Sequence, residues 1–167
     1  MGELLDLEAT TFILVPLLAA NGSPVLLSKG TPIDLGKMFI DGRRILGDGK
    51  TIQGYLLGLL FGLSIGLFLT NIANDQRIFY GAIISVNGGL LGDIIAAFLK
   101  RRAGLKRGYP VELLDQLDFL IGGLIALYVA GYVCDPATIL VFIPLTYTLH
   151  KATNYVAYKL GLKNVPW

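Results

Sequence analysis

The strongest constraint on this chain is the spacing and length of its apolar runs. Stretches near 4–22, 54–72, 78–99, 113–134 and 137–158 each approach the ~20 mostly apolar residues that a hydrocarbon core requires. Only 16% of the residues are charged and 54% are hydrophobic, where a soluble domain carries ~25% charge. A spanning segment must satisfy its own backbone hydrogen bonds. The sequence therefore predicts an all-α integral membrane protein with five transmembrane helices, as a single domain over 1–167. The acidic start, with Glu3, Asp6 and Glu8, is unlike the basic region of a signal peptide, so the first stretch is expected to remain as a span.

The charges separate once they are placed between these runs. Loop 28–53 holds Lys29, Lys37, Arg43, Arg44 and Lys50, loop 100–112 holds Lys100, Arg101, Arg102, Lys106 and Arg107, and the C-terminal end adds Lys151, Lys159 and Lys163. With alternating spans, all of the 14 Lys and Arg except Arg77 fall on one side. The positive-inside rule then puts the N-terminus outside and the C-terminus in the cytoplasm. The net charge of +2 calls for no nucleic-acid partner, the single Cys134 excludes an intramolecular disulfide, and the single His150 leaves no Cys/His zinc site.

Glycines 54, 58, 62 and 66 recur every four residues on one face of the second span. Gly88 and Gly92 on the third, and Gly122, Ala126 and Ala130 on the fourth, are spaced likewise. Small-residue faces let helix backbones approach closely in lipid; packing within the chain is the expected use, with a homodimer through the same faces as the alternative. The 28–53 loop is long for a connection, and loops of that length are functional or disordered. Its segment FIDGRRILGDGKT (39–51) interleaves apolar and charged residues too regularly for a spacer. GDGKT (47–51) ends like a phosphate-binding P-loop, but Arg44 stands where the pattern needs glycine and no buried strand precedes it.

Asp115 and Asp118 open the fourth run, and Asp93 lies seven residues before Lys100 in the third. Residues three apart share a helix face, and Asp93 is ~10 Å inside the expected boundary by helical rise. If the third and fourth spans pack antiparallel, the three carboxylates converge and would repel unless a cation lay among them. Oxygen-only ligands indicate a hard ion, Mg²⁺ before Ca²⁺. For Asp115 alone, a helix-start role at the positive pole is the competing reading; Asp93 is at the opposite pole. Carboxylates for a metal beside convergent Lys and Arg suit phosphoryl or nucleotidyl transfer. A proton or ion pathway, as in a small transporter, would need acids at mid-membrane depth, and none is there. The pair is D-x-x-D and DGRRILG (41–47) lacks Ala-Arg, which disfavours a CDP-alcohol phosphatidyltransferase; a lipid-binding protein without transferase activity is a further alternative.

GDIIAAFLKRRAGLKRGYPVELLDQLDF (92–119) resembles the signature end of membrane CTP:phosphatidate cytidylyltransferases. With ANGSPVLL (20–27) and PIDLGKMFIDGRRILGDGKTIQG (32–54) in order, the whole chain is more similar to the archaeal branch, the CDP-archaeol synthases. It departs from the bacterial and eukaryotic enzymes in having Gln116 where they carry arginine. The resemblance implies transfer of CMP from CTP to 2,3-di-O-geranylgeranylglyceryl phosphate, with pyrophosphate released, in the cell membrane at its cytoplasmic face. It implies one or two Mg²⁺ on Asp93, Asp115 and Asp118. Lys100, Arg101 and Lys106 would bind departing pyrophosphate, and Lys37, Arg43, Arg44, Lys50 and Thr51 would close over the phosphates. Asn21, Ser23 and Asn87 would supply polar contacts, Asn87 with helix packing as an equal alternative. His150 and Asn154, four apart on the last span, are expected to serve packing.

Overall fold

The structure, a computed structural model, describes residues 3–27, 30–106 and 109–162; Lys29, Arg107 and Lys163 lie outside them. The described residues form five α-helices: α1 (Leu7–Gly22), α2 (Ile52–Ala73), α3 (Gln76–Arg102), α4 (Leu114–Val129) and α5 (Pro136–Lys159). Two short strands, β1 (Glu3–Leu4) and β2 (Tyr132–Val133), pair in parallel, so the first run starts its helix later than expected. The fourth run stops being helical at Val129 rather than 134. The left-handed Gly131, φ 91°, turns the chain there, and β2 then ties the turn to β1. Among the described helices α2 and α3 are long and apolar enough to cross a membrane by length and composition, and α1 is a shorter apolar helix.

Each boundary has a local cause. Asp6, Thr51, Asp75 and Asp135 cap α1, α2, α3 and α5 by accepting from Ala9, Gly54, Arg77 and Thr138 amides, which satisfies donors left open at a helix start. Pro136 follows its cap at the first helical position, where a missing N–H costs nothing. α2 stops at Asn74, whose left-handed φ of 52° closes the helix.

α1 is apolar around its whole circumference and is the central post. Ile13, Leu14, Leu17 and Ala20 are at most 1% exposed. Gly58, Gly62 and Gly66 of α2 lie against Ala20 and Pro16 of α1 on one side and Leu90, Val86 and Ala82 of α3 on the other. The buried residues of α2 are its four glycines and Thr70, while Leu56, Leu60, Leu67, Phe68 and Ile72 are exposed. Small residues inward and large apolar ones outward is the pattern of a helix packed in lipid, where a Leu gains nothing by burial but backbone contact gains dispersion energy. The glycine face of α2 is thus used inside the chain, in the helix packing expected for it.

α3 and α4 pack antiparallel at backbone contact. A Cβ on Gly88 would lie 2.7 Å from the Gly122 carbonyl oxygen, and one on Gly92 2.6 Å from that of Asp118. Gly122 and Ala126 serve as expected, whereas Ala130 is exposed and beyond the helix end. The Ser85 hydroxyl donates to the Ile13 carbonyl, 3.1 Å, and Gly81 and Gly89 face Ile13 and Leu17, so α3 runs parallel to α1. The antiparallel alternation gathers the N-terminal strand, the 74–75 turn and the 130–135 turn at one end. The 23–51 and 103–113 connections and the end of α5 gather at the other, which carries every described Lys and Arg except Arg77.

Gly88→Val is expected to cost ~2–3 kcal/mol, the range of overpacking in a filled contact, because carbonyl and Cβ atoms of α4 cannot yield. Gly22→Ala, with nothing within 4 Å of the added atom, is expected to be near neutral. Thermal unfolding of the detergent-solubilised variants compares the two.

Candidate active site

At the cation-rich end, the 30–51 segment is folded rather than slack. Antiparallel bridges join Pro32 to Thr51 and Met38 to Arg44. Asp34, its side chain fully buried, organises the turn. It accepts from Arg44 Nη2 (2.7 Å), the Leu46 and Gly47 amides (2.9 Å each) and the Gly36 amide (3.1 Å). Burial alone would raise its pKa; the Arg44 guanidinium and the Gly47, Leu46 and Gly36 amides outweigh it and hold the carboxyl well below the usual range. Arg44 also pairs with Asp48, 2.8 Å.

The segment is pinned to the last turn of α3. The Arg102 guanidinium lies 4.6 Å from the Phe39 ring and 5.0 Å from that of Phe98, and those rings meet edge to face at 5.4 Å. Arg102 donates to Asp41 (2.5 Å) and the Arg44 carbonyl (2.6 Å), while Arg43 donates to the Arg102 carbonyl (2.7 Å). Arg43 and Arg44, expected over phosphate, staple the segment here: Arg43 on the Arg102 carbonyl and Arg44 on the buried Asp34. Arg102 holds the same clamp.

A cavity of about 470 Å³ opens beside this clamp. Its walls come from the end of α1 (Asn21, Gly22), from Asp48 through Thr51, from Gly54 and Tyr55 of α2, from Leu90 and Asp93 of α3, and from His150, Thr153 and Asn154 of α5. Lys50 donates to Asp93 at 2.5 Å. The α2 N-terminus lines the wall, and its dipole favours an anion there, although the Ile52 amide is spent on the Thr31 carbonyl (2.9 Å) and the Gly54 amide on the Thr51 hydroxyl (3.0 Å). Asn21, Lys50, Thr51 and Asp93 are therefore brought together as expected. Ser23 is buried and donates to the Ala20 carbonyl (3.2 Å), and Asn87 bonds Ile83 and Tyr55; both serve helix packing and neither lines the cavity. Lys37 and Lys106 are exposed and do not line it. His150 and Asn154, expected to serve packing, line it; their shared helix face was the readable signal.

The acids behind the wall are balanced one by one. Lys100 pairs with Asp115, whose other oxygen accepts from the Val111 amide at 3.2 Å. Asp118 is buried, accepts from the Phe119 amide at 2.7 Å, and stands within electrostatic reach of Asp93, Lys50 and Asp115. The three carboxylates do not form one cluster: among the described residues no three His, Cys, Asp or Glu side chains could hold a metal ion together. Two lysines supply the counter-charge that a cation was expected to give. The donor set is nevertheless all oxygen, and the buried Asp118 beside Asp93 fits a hard divalent ion completed by phosphate and water.

A family model described as CarS-like, CDP-archaeol synthase, matches residues 3–167. The chain belongs to the CDP-archaeol synthase family. A CDP-archaeol synthase of Hyperthermus butylicus is 48% identical over 168 residues, covering 100% of both chains. That of Sulfolobus acidocaldarius is 43% identical, covering 92% of this chain and 93% of its own. A solved structure described as an intramembrane enzyme for archaeal membrane lipids biosynthesis superposes with a TM-score of 0.79 at 36% identity, covering 86% of this chain and 90% of that one. The chain is accordingly an enzyme, a CTP-dependent cytidylyltransferase of membrane-lipid synthesis, and neither a phosphatidyltransferase nor a transporter.

Asp34→Asn is expected to loosen the 30–51 segment, since it removes the charge on which Arg44 and the Leu46, Gly47 and Gly36 amides converge. Because the folded pKa is depressed, the carboxylate's contribution is full above about pH 5 and lost as pH falls below ~4 toward the folded value. Limited proteolysis across pH reads both: the wild-type segment becomes cleavable only on acidification, the variant at neutral pH.

Proposed function

We propose that this cavity binds CTP and that the enzyme transfers CMP to 2,3-di-O-geranylgeranylglyceryl phosphate in a Mg²⁺-dependent reaction. The whole chain, 1–167, acts as one domain whose five helices span the membrane, with the N-terminus outside and the cavity at the cytoplasmic face of the cell membrane. The observation that carries this reading is the meeting of Lys50, the α2 N-terminus and Asp93 in one cavity, at the end where the cations gather. Nucleotide arrives from the cytoplasm, and a lipid phosphate sits at the same interface with its chains in the bilayer.

Lys50, the Thr51 hydroxyl and the positive end of the α2 dipole bind the triphosphate, with Asn21, His150 and Asn154 available to ribose or base. Asp93 and Asp118 would hold Mg²⁺, with Asp115 beside them fixing Lys100. When bound, the ion supplies charge neutralisation on the phosphate oxygens. An oxygen of the lipid phosphate attacks the α-phosphorus of CTP; the bond from that phosphorus to the bridging oxygen breaks and pyrophosphate leaves. A phosphate monoester has its second pKa near ~6 and is already ionised at neutral pH, so no side-chain base is required. Lys100 and Arg101 receive the pyrophosphate charge, while exposed Lys37 and Lys106 add to the positive field at the mouth.

Radiolabelled CTP with lipid phosphate and Mg²⁺ in detergent is expected to give CDP-lipid, with pyrophosphate release that needs both substrates. Asp118→Asn and Lys50→Ala are each expected to lower kcat by ~10²-fold or more, the scale of losing one electrostatic contact to the transferring group. Full Mg²⁺-dependent turnover by Asp118→Asn would remove the metal assignment, and pyrophosphate release without the lipid would remove the substrate assignment.

A further inference from the structure

The hairpin at the tip of the 30–51 segment carries apolar side chains that the site does not use. Its strands are held by the Phe39 amide to the Arg43 carbonyl (2.7 Å) and the Ile45 amide to that of Lys37 (3.2 Å), and the turn closes with the Gly42 amide on Phe39 (3.0 Å). Ile40 at the turn is 95% exposed, Leu35 63% and Met38 61%. The clamp of Arg102, Phe39 and Phe98 fixes this hairpin, so the apolar tip cannot fold back to hide itself. A rigid turn that holds three large apolar residues outward is costly in water, at ~25 cal/mol per Å² of apolar surface left wet.

Two observations say what covers it. Phe39 packs on Phe98 of α3, next to Leu99, and Leu91, Ile95 and Leu99 form an exposed stripe on α3 at four-residue spacing. The tip is therefore continuous with an outward apolar helix face. Lys37 and Arg43, both exposed, flank it, which puts two cations where a bilayer presents anionic headgroups.

We propose that the 35–40 hairpin tip is an interfacial anchor: Leu35, Met38 and Ile40 insert at the boundary of headgroups and lipid chains, with Lys37 and Arg43 on headgroup phosphates. The inference rests on the reading that α3 crosses the bilayer. The anchor would hold the segment that carries Asp48 and Lys50 at the depth of an incoming lipid phosphate.

The test uses the full chain with Trp167→Phe, so that one introduced tryptophan reports, in vesicles of anionic lipid brominated either high on the acyl chain, for the tip, or at mid-chain, for α2. Ile40→Trp reports on the tip, Met38→Trp is a second reporter should the first not fold, and Phe61→Trp on the exposed face of α2 reports the bilayer itself. The expected result is blue-shifted emission and severalfold stronger quenching by brominated lipid than by aqueous acrylamide at both sites. A tip reporter quenched by acrylamide and not by lipid, with the α2 reporter quenched by lipid, overturns the anchor and leaves the membrane reading intact. Failure of lipid to quench either overturns both.

Discussion

Backbone contact between α3 and α4 is the constraint from which the rest of the site follows. Gly88 and Gly92 on one helix and Gly122 on the other leave the Ala126 methyl, packed on Gly88, as the side chain those glycines meet along with backbone. The helices approach until the carbonyl of Asp118 lies against the Cα of Gly92. That contact fixes the register, and the register puts Asp93 across from the start of α4. In water such a seam would bury little apolar area and would stabilise weakly; in lipid, where packing rather than solvent exclusion drives association, close contact is what holds helices together.

A second consequence concerns charge. Acids brought together by a backbone contact have to be neutralised, and the chain does so with Lys50 from the long segment and Lys100 from α3. The first of these joins the segment to the helix bundle, so the same ion pair that balances Asp93 also closes one wall of the cavity. Asp34 and Arg102 do the corresponding work away from the acids. They turn 30–51 from a connection into a small folded unit whose last residues cap α2.

Much of this could be read from the residues, because its causes are local or periodic. The five helices follow from apolar run-length, the inward glycines of α2 from their four-residue repeat, and the gathering of cations at one end from alternation. The nucleotide family was legible in the 92–119 block. What could not be read depended on contacts between distant segments. Nothing in DGRRILG says that Arg43 and Arg44 are taken up by the Arg102 carbonyl and Asp34. Likewise, the three-aspartate pattern does not disclose that two lysines arrive first. GDGKT is instructive in the other direction: it fails the P-loop pattern for want of a strand and a glycine, yet its Lys50 and Thr51 do end at a helix N-terminus beside a cavity. A helix start and a cation meet at one cavity without the motif's fold.

The lengths of the two paired helices explain why a cavity exists at this end at all. α4 has 16 residues and α3 has 27, or ~24 Å against ~40 Å at the α-helical rise. With Gly92 fixed opposite Asp118, α4 reaches back four more residues to Leu114, and some six residues of α3 run past its start, ~9 Å by the same rise. That overhang carries Phe98, Lys100, Arg101 and Arg102, and it is the post to which the 30–51 segment is clamped. Had α4 matched α3 in length, the post would be covered by helix and the segment would have nothing to grip. The late start of the short fourth helix therefore leaves open the wall on which Lys50 is presented to Asp93.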